Sequence, residues 1–368
     1  MKILHMLTSI NTGGAEKFCV DICNTQADIS EHEIYLCVLD QITDQPLIKM
    51  LSPKITLLSL SKKSGYSIKI IYNIYRMLSE IKPDIIHLNG RVLVYASVPI
   101  IIKRIPSVYT VHTMIDRGNK HVNRYYKLLF NYFSALFTPV AISKSVLDTI
   151  KKNYGKQFNK IIYNGSSELI ISSEMQTVSR YFNKLKADDK TLVFVSIGRI
   201  IKVKNTLLLV ESFNKLLNEG HNVALCIIGY DVFQNQSYLT ECKNKNNYPE
   251  RIQFVGRKDN IADYLFNADA LCLTSNLEGF GIAILEAFSM GIPVLSTPSG
   301  GPSEIIISGV NGYVSEKISI DSYIQILKKF IYKPLKNKSK IIKLYNEKYT
   351  MQICAKHYIS LYKKIITH

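Results

Sequence analysis

The sequence predicts an α/β protein made of two doubly wound parallel sheets in series. Short apolar stretches of strand length alternate with segments of helical period. That alternation lapses in a polar stretch from Ser167 to Lys190, a linker with a short helix, and then restarts, and 368 residues suit two domains of ordinary size. The expected division is a first domain over 1–166, a connector over 167–189, a second domain over 190–345, and a last helix within 346–368.

In the first half the expected strands are Lys2 to Leu7, Glu33 to Leu39, Ile55 to Leu58, Asp84 to Leu88, Ser107 to His112 and Thr138 to Ile142. Lys160 to Tyr163 reads as a final strand before the turn Asn164-Gly165-Ser166. Helical patterns lie between them; Ile68, Ile71, Tyr75 and Leu78 mark one, Val146 and Ile150 the last. A polar loop from Thr8 to Thr12 leads into Gly13-Gly14-Ala15-Glu16, where a strand end, a glycine pair and a helix start meet. Such a junction aims backbone N–H groups at an anion, although a tight turn needing glycine explains it as well.

In the second half strands are expected at Thr191 to Ile197, Asn222 to Ile228, Ile252 to Val255, Asp269 to Leu273 and Val294 to Ser296, with a helix over Asn205 to Leu217. Seven lysines fall between Lys328 and Lys343 and read as a solvated face; a helix follows from Thr350 to Ile366.

Composition narrows the function classes. Hydrophobic residues make up 47% and charged residues 20%, which is globular. The net charge of +17 leaves anionic small molecules, nucleic acid and anionic membranes open. No zinc-finger spacing, RNP-like segment or helix-turn-helix is legible, so nucleic acid is set aside. The longest apolar run, Val92 to Ile102, falls short of the roughly 20 residues a membrane helix needs. Seven cysteines form no CxxC pattern, and Cys19 and Cys23 share a helix face as small buried side chains. That usage and the absence of a leader point to the cytoplasm.

Two constellations carry chemistry. Gly198-Arg199 at a strand end, with Lys202, Lys204 and Asn205 at the next helix start, suits a diphosphate. Between Ser275 and Glu304 three glycine turns crowd around strand ends and helix starts, with Glu278 on the first turn and Glu286 inside the following helix. Two carboxylates could flank a bond as in a glycosidase. Their placement on a turn and within a helix fits ligand holding better.

With Val111-His112, Ala141-Ile142-Ser143, Tyr163-Asn164-Gly165, Phe254-Val255-Gly256 and Gly300-Gly301-Pro302, the chain resembles the retaining glycosyltransferases of family 4 from about Lys2 to Val314. The resemblance implies the GT-B fold, two Rossmann-like domains facing across a cleft, with the last helix returning to the first domain. It implies that Arg199 and Lys204 hold the donor diphosphate and Glu286 the ribose hydroxyls. Glu278 and the backbone of Gly279, Phe280 and Gly281 would hold the donor sugar and distal phosphate. His112 would touch the sugar near the reacting centre, Gly13 and Gly14 would close on the diphosphate, and the backbone at Arg257 and Lys258 would meet the base. The catalytic set so implied is His112, Glu278, Arg199 and Lys204. The chain departs from the family at Gly229-Tyr230-Asp231 and at Thr113-Met114-Ile115-Asp116.

The implied activity is transfer of a hexosyl or N-acetylhexosaminyl group from a nucleoside diphosphate sugar, UDP ranking before GDP. The acceptor would be a lipid-linked or polysaccharide glycan of the cell surface. No cofactor is implied, and the lack of a DxD-like aspartate pair points to metal-independent transfer. A dinucleotide-dependent oxidoreductase is the rival, against which the missing GxGxxG counts; a nucleotide-binding protein without activity is another. From Arg117 to Leu136, Tyr125, Leu128, Leu129, Tyr132, Phe133 and Leu136 share one helical face, with Arg117, Lys120, Arg124 and Lys127 mostly off it. This reads as a core-facing helix with a basic edge, or as a surface for anionic lipid or a lipid-diphosphate acceptor.

Overall fold

A computed structural model describes residues 1–10, 13–29, 31–42, 46–63, 65, 67–115, 120–231 and 237–367. Asn11, Thr12, Asp116, Arg117 and the side chain of Lys120 lie outside the described residues. The chain divides into two compact units, Met1–Ser167 with Tyr349–His368, and Glu168–Lys348.

The first unit holds strands β1 (Lys2–Leu7), β2 (Glu33–Asp40), β3 (Thr56–Lys62), β4 (Ile85–Asn89), β5 (Ser107–Val111) and β6 (Phe137–Ala141). Its helices are α1 (Gly14–Ile29), α2 (Pro46–Lys49), α3 (Ile68–Ile81), α4 (Leu93–Lys103), α5 (Lys120–Tyr132) and α6 (Lys144–Asn153). The second unit begins with helix α7 (Met175–Leu185) and strand β7 (Leu192–Ile197), then α8 (Thr206–Asn218), β8 (Val223–Ile228), α9 (Ser237–Asn244) and β9 (Ile252–Gly256). It continues with α10 (Ile261–Phe266), β10 (Ala270–Leu273), α11 (Ile282–Ser289), β11 (Val294–Ser296), α12 (Pro302–Ile305), β12 (Gly312–Val314), α13 (Ile320–Tyr332) and α14 (Lys338–Lys348). The last helix, α15 (Met351–Ile366), belongs to the first unit.

Both sheets are parallel and six-stranded, ordered β3-β2-β1-β4-β5-β6 and β12-β11-β10-β7-β8-β9. Counted along the chain within each unit, these are the same order, 3-2-1-4-5-6, so each sheet reverses direction beside its first strand. Ligands of doubly wound sheets sit at the carboxyl ends of strands flanking that reversal. The positions to inspect are therefore the exits of β1 and β4, and of β7 and β10.

Two expectations are corrected. Lys160 to Tyr163 is no strand; it makes one isolated bridge, Ala141 with Ile161. On α3 the buried positions are Ile70, Ile74, Met77 and Leu78, while Ile68 faces solvent. The short helix expected within the connector is α7, whose buried Phe182 meets the Tyr264 ring of α10, and Ser172 donates from N and Oγ to the Asp263 carboxylate. That helix is amphipathic and buries Val178, Phe182 and Leu185.

The return of α15 is built into the first core. Thr350 caps it, its Oγ1 accepting from Ile353 N–H, and Met351, Cys354, Tyr358 and Tyr362 are buried in the cluster around β1 and α1. Each large apolar side chain so buried contributes about 1.5–3 kcal/mol. Gly165 is required where the strands of chain cross, since a Cβ there would stand 2.6 Å from Thr350 O.

Candidate active site

In the second unit the exits of β7, β8 and β9 are pressed together. A Cβ on Gly229 would lie 1.9 Å from Gly198 O, and Gly229 N–H donates to Gly256 O at 2.9 Å. Gly198 takes φ +155 and projects Arg199 into solvent, where it makes no ion pair among the described residues. Lys204 ends a one-turn 3-10 helix, and Asn205 turns left-handed (φ +49) to start α8.

The loop after β10 is stitched to that cationic loop. Thr274 Oγ1 donates to Lys204 O (3.2 Å) and Asn205 O (2.9 Å), and Asn276 N–H donates to Val203 O at 2.8 Å. Lys204 Nζ forms an ion pair with Glu278 Oε2, to which Ser275 Oγ also donates at 3.3 Å. A small cavity of about 20 Å³ lies here, lined among others by Gly198, Arg199, Lys204, Thr274 and Ser275. A larger hollow of about 480 Å³, between the end of α1 and α15 in the first unit, touches none of the candidate residues.

The Glu278–Gly281 turn rests on the turn after β11. Glu278 N–H donates to Ser299 O at 2.8 Å and Gly301 N–H to Glu278 O at 3.0 Å. A Cβ on Gly301 would stand 2.5 Å from Gly279 O, so only glycine permits the two turns to stack. Phe280 points into the core, leaving its backbone as the part a ligand could meet, and Gly281 (φ +92) opens α11. Glu286, on α11, is 4% exposed. At the end of β9 Gly256 turns left-handed, the Arg257 guanidinium reaches Asp259 Oδ1 at 3.2 Å and lies 5.8 Å from the Tyr230 ring centre, and Lys258 follows half-buried. The structure thus gathers Arg199, Lys204 and Glu278, with Arg257 two strands along from β7 in the same sheet.

In the first unit Gly14 starts α1 beyond β1, and Lys17 N–H donates to Gly13 O at 2.9 Å. His112 follows β5, with the Phe18 ring of α1 edge-on at 5.2 Å. Its Nε2 is 2.9 Å from Oδ1 of Asn89, the last residue of β4. Burial pushes the His112 pKa down to about 4, so the ring is neutral near pH 7. Asn89 was not singled out from sequence; the signal available was a polar residue ending an apolar strand before a glycine, Gly90, with φ +68.

One further reading changes. On α5 the buried residues are Tyr126, Leu129 and Phe130; of the face expected to meet the core, Tyr125, Leu128, Tyr132 and Phe133 are exposed, Tyr132 by 78%. Arg124 and Lys127 are exposed beside them. Cys19 and Cys23 are buried and free, with the ligand atoms of His5, Cys19 and Cys23 within 4.8 Å of one another. Burial raises the Cys19 pKa well above its ordinary value, so the free thiol stays protonated. Among the described residues no helix is long and apolar enough to cross a membrane.

A doubly wound pair of units with cations and a carboxylate at the second reversal point defines a class, that of the GT-B glycosyltransferases, and the comparisons name the family within it. Residues 12–166 match the model of Glycosyltransferase Family 4 and residues 178–348 that of Glycosyl transferases group 1; the chain belongs to this family. It is 31% identical over 155 residues to the N-acetyl-alpha-D-glucosaminyl L-malate synthase of Bacillus anthracis, covering 42% of this chain and 39% of that one. It is 26% identical over 202 residues to the capsular polysaccharide biosynthesis glycosyltransferase CapM of Staphylococcus aureus, covering 52% and 51%. The matches thus span about half or less of these curated relatives' length. Anabaena HepE in complex with UDP-glucose is similar in structure, with TM-score 0.82 at 19% identity, over 99% of this chain and 100% of that one.

Proposed function

We propose that the protein transfers a hexosyl or N-acetylhexosaminyl group from a nucleoside diphosphate sugar, with retention, to a lipid-linked or polysaccharide acceptor in surface-glycan synthesis. The observation that carries this is the convergence of Arg199, Lys204 and Glu278 at the exits of β7 and β10. Breaking the bond from sugar to diphosphate leaves negative charge on the departing phosphate. Fixed cations and backbone N–H groups stabilise that charge electrostatically, which is usually the largest contribution to such a barrier. Arg199 suits two oxygens at once and Lys204 a single one. In this reading Glu278 is freed from Lys204 when phosphate arrives and turns to the sugar, while Glu286 takes the ribose. His112 is assigned the sugar and Gly14 the diphosphate, and the backbone at Arg257 and Lys258 contacts the base.

UDP ranks before GDP because a similar structure, HepE, was seen with UDP-glucose. A surface-glycan acceptor is supported by relatives such as CapM and the Vi polysaccharide protein of Salmonella typhi. Metal-independent transfer is supported by Arg199 and Lys204, two cations at the strand exits suited to the charge of the departing phosphate, and turnover in EDTA tests it. The deciding experiment is thermal-shift screening against UDP, GDP and their sugars, followed by transfer assays with the sugar that stabilises most. If no nucleoside diphosphate raised the melting temperature, the reading would be withdrawn.

A membrane-facing acceptor site, at the cytoplasmic leaflet, is the second part. The exposed row Tyr125, Leu128, Tyr132 and Phe133 beside Arg124 and Lys127 supports it, because aromatic and cationic side chains together suit an anionic interface.

A further inference from the structure

We propose that Asn89 is the positioning residue for His112, holding its imidazole as the Nε2–H tautomer so that the Nδ1 lone pair is what a sugar hydroxyl meets. The inference rests on the reading of His112 as the sugar contact. Parallel pairing of β4 with β5 sets Asn89 opposite Thr110, two residues before His112, and brings Oδ1 to 2.9 Å from Nε2.

The orientation of the amide is determined from its other side. Asn89 Nδ2 lies 3.6 Å from Cys19 Sγ. Cys19 Sγ also has His5 and Cys23 beside it, the three ligand atoms lying within 4.8 Å of one another. With the NH₂ of Asn89 donating to it, the sulfur is the acceptor in that contact. An accepting sulfur demands the NH₂ of Asn89, which turns Oδ1 toward His112. An oxygen there can only accept, so Nε2 must carry the proton.

Because His112 is neutral near pH 7, it has one ring proton, and placing it on Nε2 leaves Nδ1 bare. Nδ1 has no protein partner among the described residues. Asn89 is 3% exposed, so water cannot readily replace it. The same network continues to α15: Tyr362 OH is 2.6 Å from His87 Nδ1, His87 Nε2 is 2.7 Å from Thr110 Oγ1, and Thr110 Oγ1 is 2.8 Å from Tyr358 OH.

The test is long-range proton–nitrogen correlation NMR on the full chain labelled with ¹⁵N-histidine, with His112 assigned by loss of its signals in His112→Gln. Wild type at pH 7.5 is expected to show Nε2 protonated and Nδ1 bare; a proton on Nδ1 would overturn the proposal without any variant. Asn89→Leu is expected to give averaged nitrogen shifts from mixed tautomers, whereas Asn89→Asp, which keeps an acceptor oxygen, retains Nε2–H. Unchanged shifts in Asn89→Leu would equally overturn it. In transfer assays Asn89→Leu should lower kcat about tenfold to a hundredfold, with donor KM within about threefold, and Asn89→Asp should recover most of the loss. Should the wild type transfer no sugar at all, the proposed activity fails, and the nitrogen shifts still decide on Asn89.

Discussion

Lys204 Nζ and Glu278 Oε2 form an ion pair across the exits of β7 and β10, joining the residue assigned to the donor diphosphate with the one assigned to the donor sugar. Both side chains are partly buried, at 26% and 15% exposure, so the pair is shielded more than a surface bridge. A diphosphate must compete with the carboxylate for the ammonium. Glu278→Ala should therefore bind UDP at least as tightly as wild type while losing about a hundredfold or more in transfer. Titration calorimetry with UDP checks this; a loss of UDP affinity would show that Glu278 holds the phosphate indirectly.

Arg199 and Lys204 are separable by charge geometry. Lys204→Ala and Arg199→Ala should each weaken UDP binding by about tenfold or more, and Arg199→Lys should not restore it, because a point charge lacks the paired donors of guanidinium. Full recovery in Arg199→Lys would reduce Arg199 to a screening charge.

Gly301→Ala tests the stacked turns without touching a ligand group. Its Cβ would press on Gly279 O and the Phe280 backbone, so the Glu278 turn must shift. UDP-sugar binding should fall along with the melting temperature; an unchanged protein would mean that the turns are looser than their packing implies.

Stability should depend on pH through two buried imidazoles. Burial lowers the pKa of His112 to about 4 and that of His87 well below its usual value. The folded state then binds these protons less readily than the unfolded chain. Their contribution is complete above the unfolded value near 6.5 and is lost as pH falls toward 4. The melting temperature should drop between pH 7.5 and 5, and His112→Gln should flatten part of that slope.

Tyr362→Phe removes the hydroxyl that serves His87 Nδ1. Leaving a buried nitrogen unsatisfied costs about 1–3 kcal/mol, visible as lower denaturant resistance of the first unit. Charge reversal at Arg124 and Lys127 addresses the membrane face: binding to anionic liposomes and turnover on a lipid-linked acceptor should both fall, and unchanged values would remove that surface from the reading.

Strand positions and the glycine turns were legible because both are local. A buried parallel strand is a short apolar run, and Gly198, Gly281 and Gly301 mark backbone that a side chain would obstruct. Helix faces were less legible. On α5 and α3 apolar residues occur on more than one side, and which side is buried depends on the neighbour each helix meets. On α7 the buried positions Val178, Phe182 and Leu185 are set among polar residues and gain meaning only against α10.

The sequence by itself determined that this is a two-unit parallel α/β chain, with cations after one strand and a glutamate-bearing turn after another, and so which family it belongs to. Only the tertiary structure decided that Lys204 and Glu278 meet, that Asn89 stands behind His112, and that Tyr358 and Tyr362 return to support the network beneath them. The physical reason is sequence distance. Hydrophobic period and turn chemistry act over a few residues, whereas these pairings join strand ends and helices far apart in the chain, brought together by the order in which the strands pair.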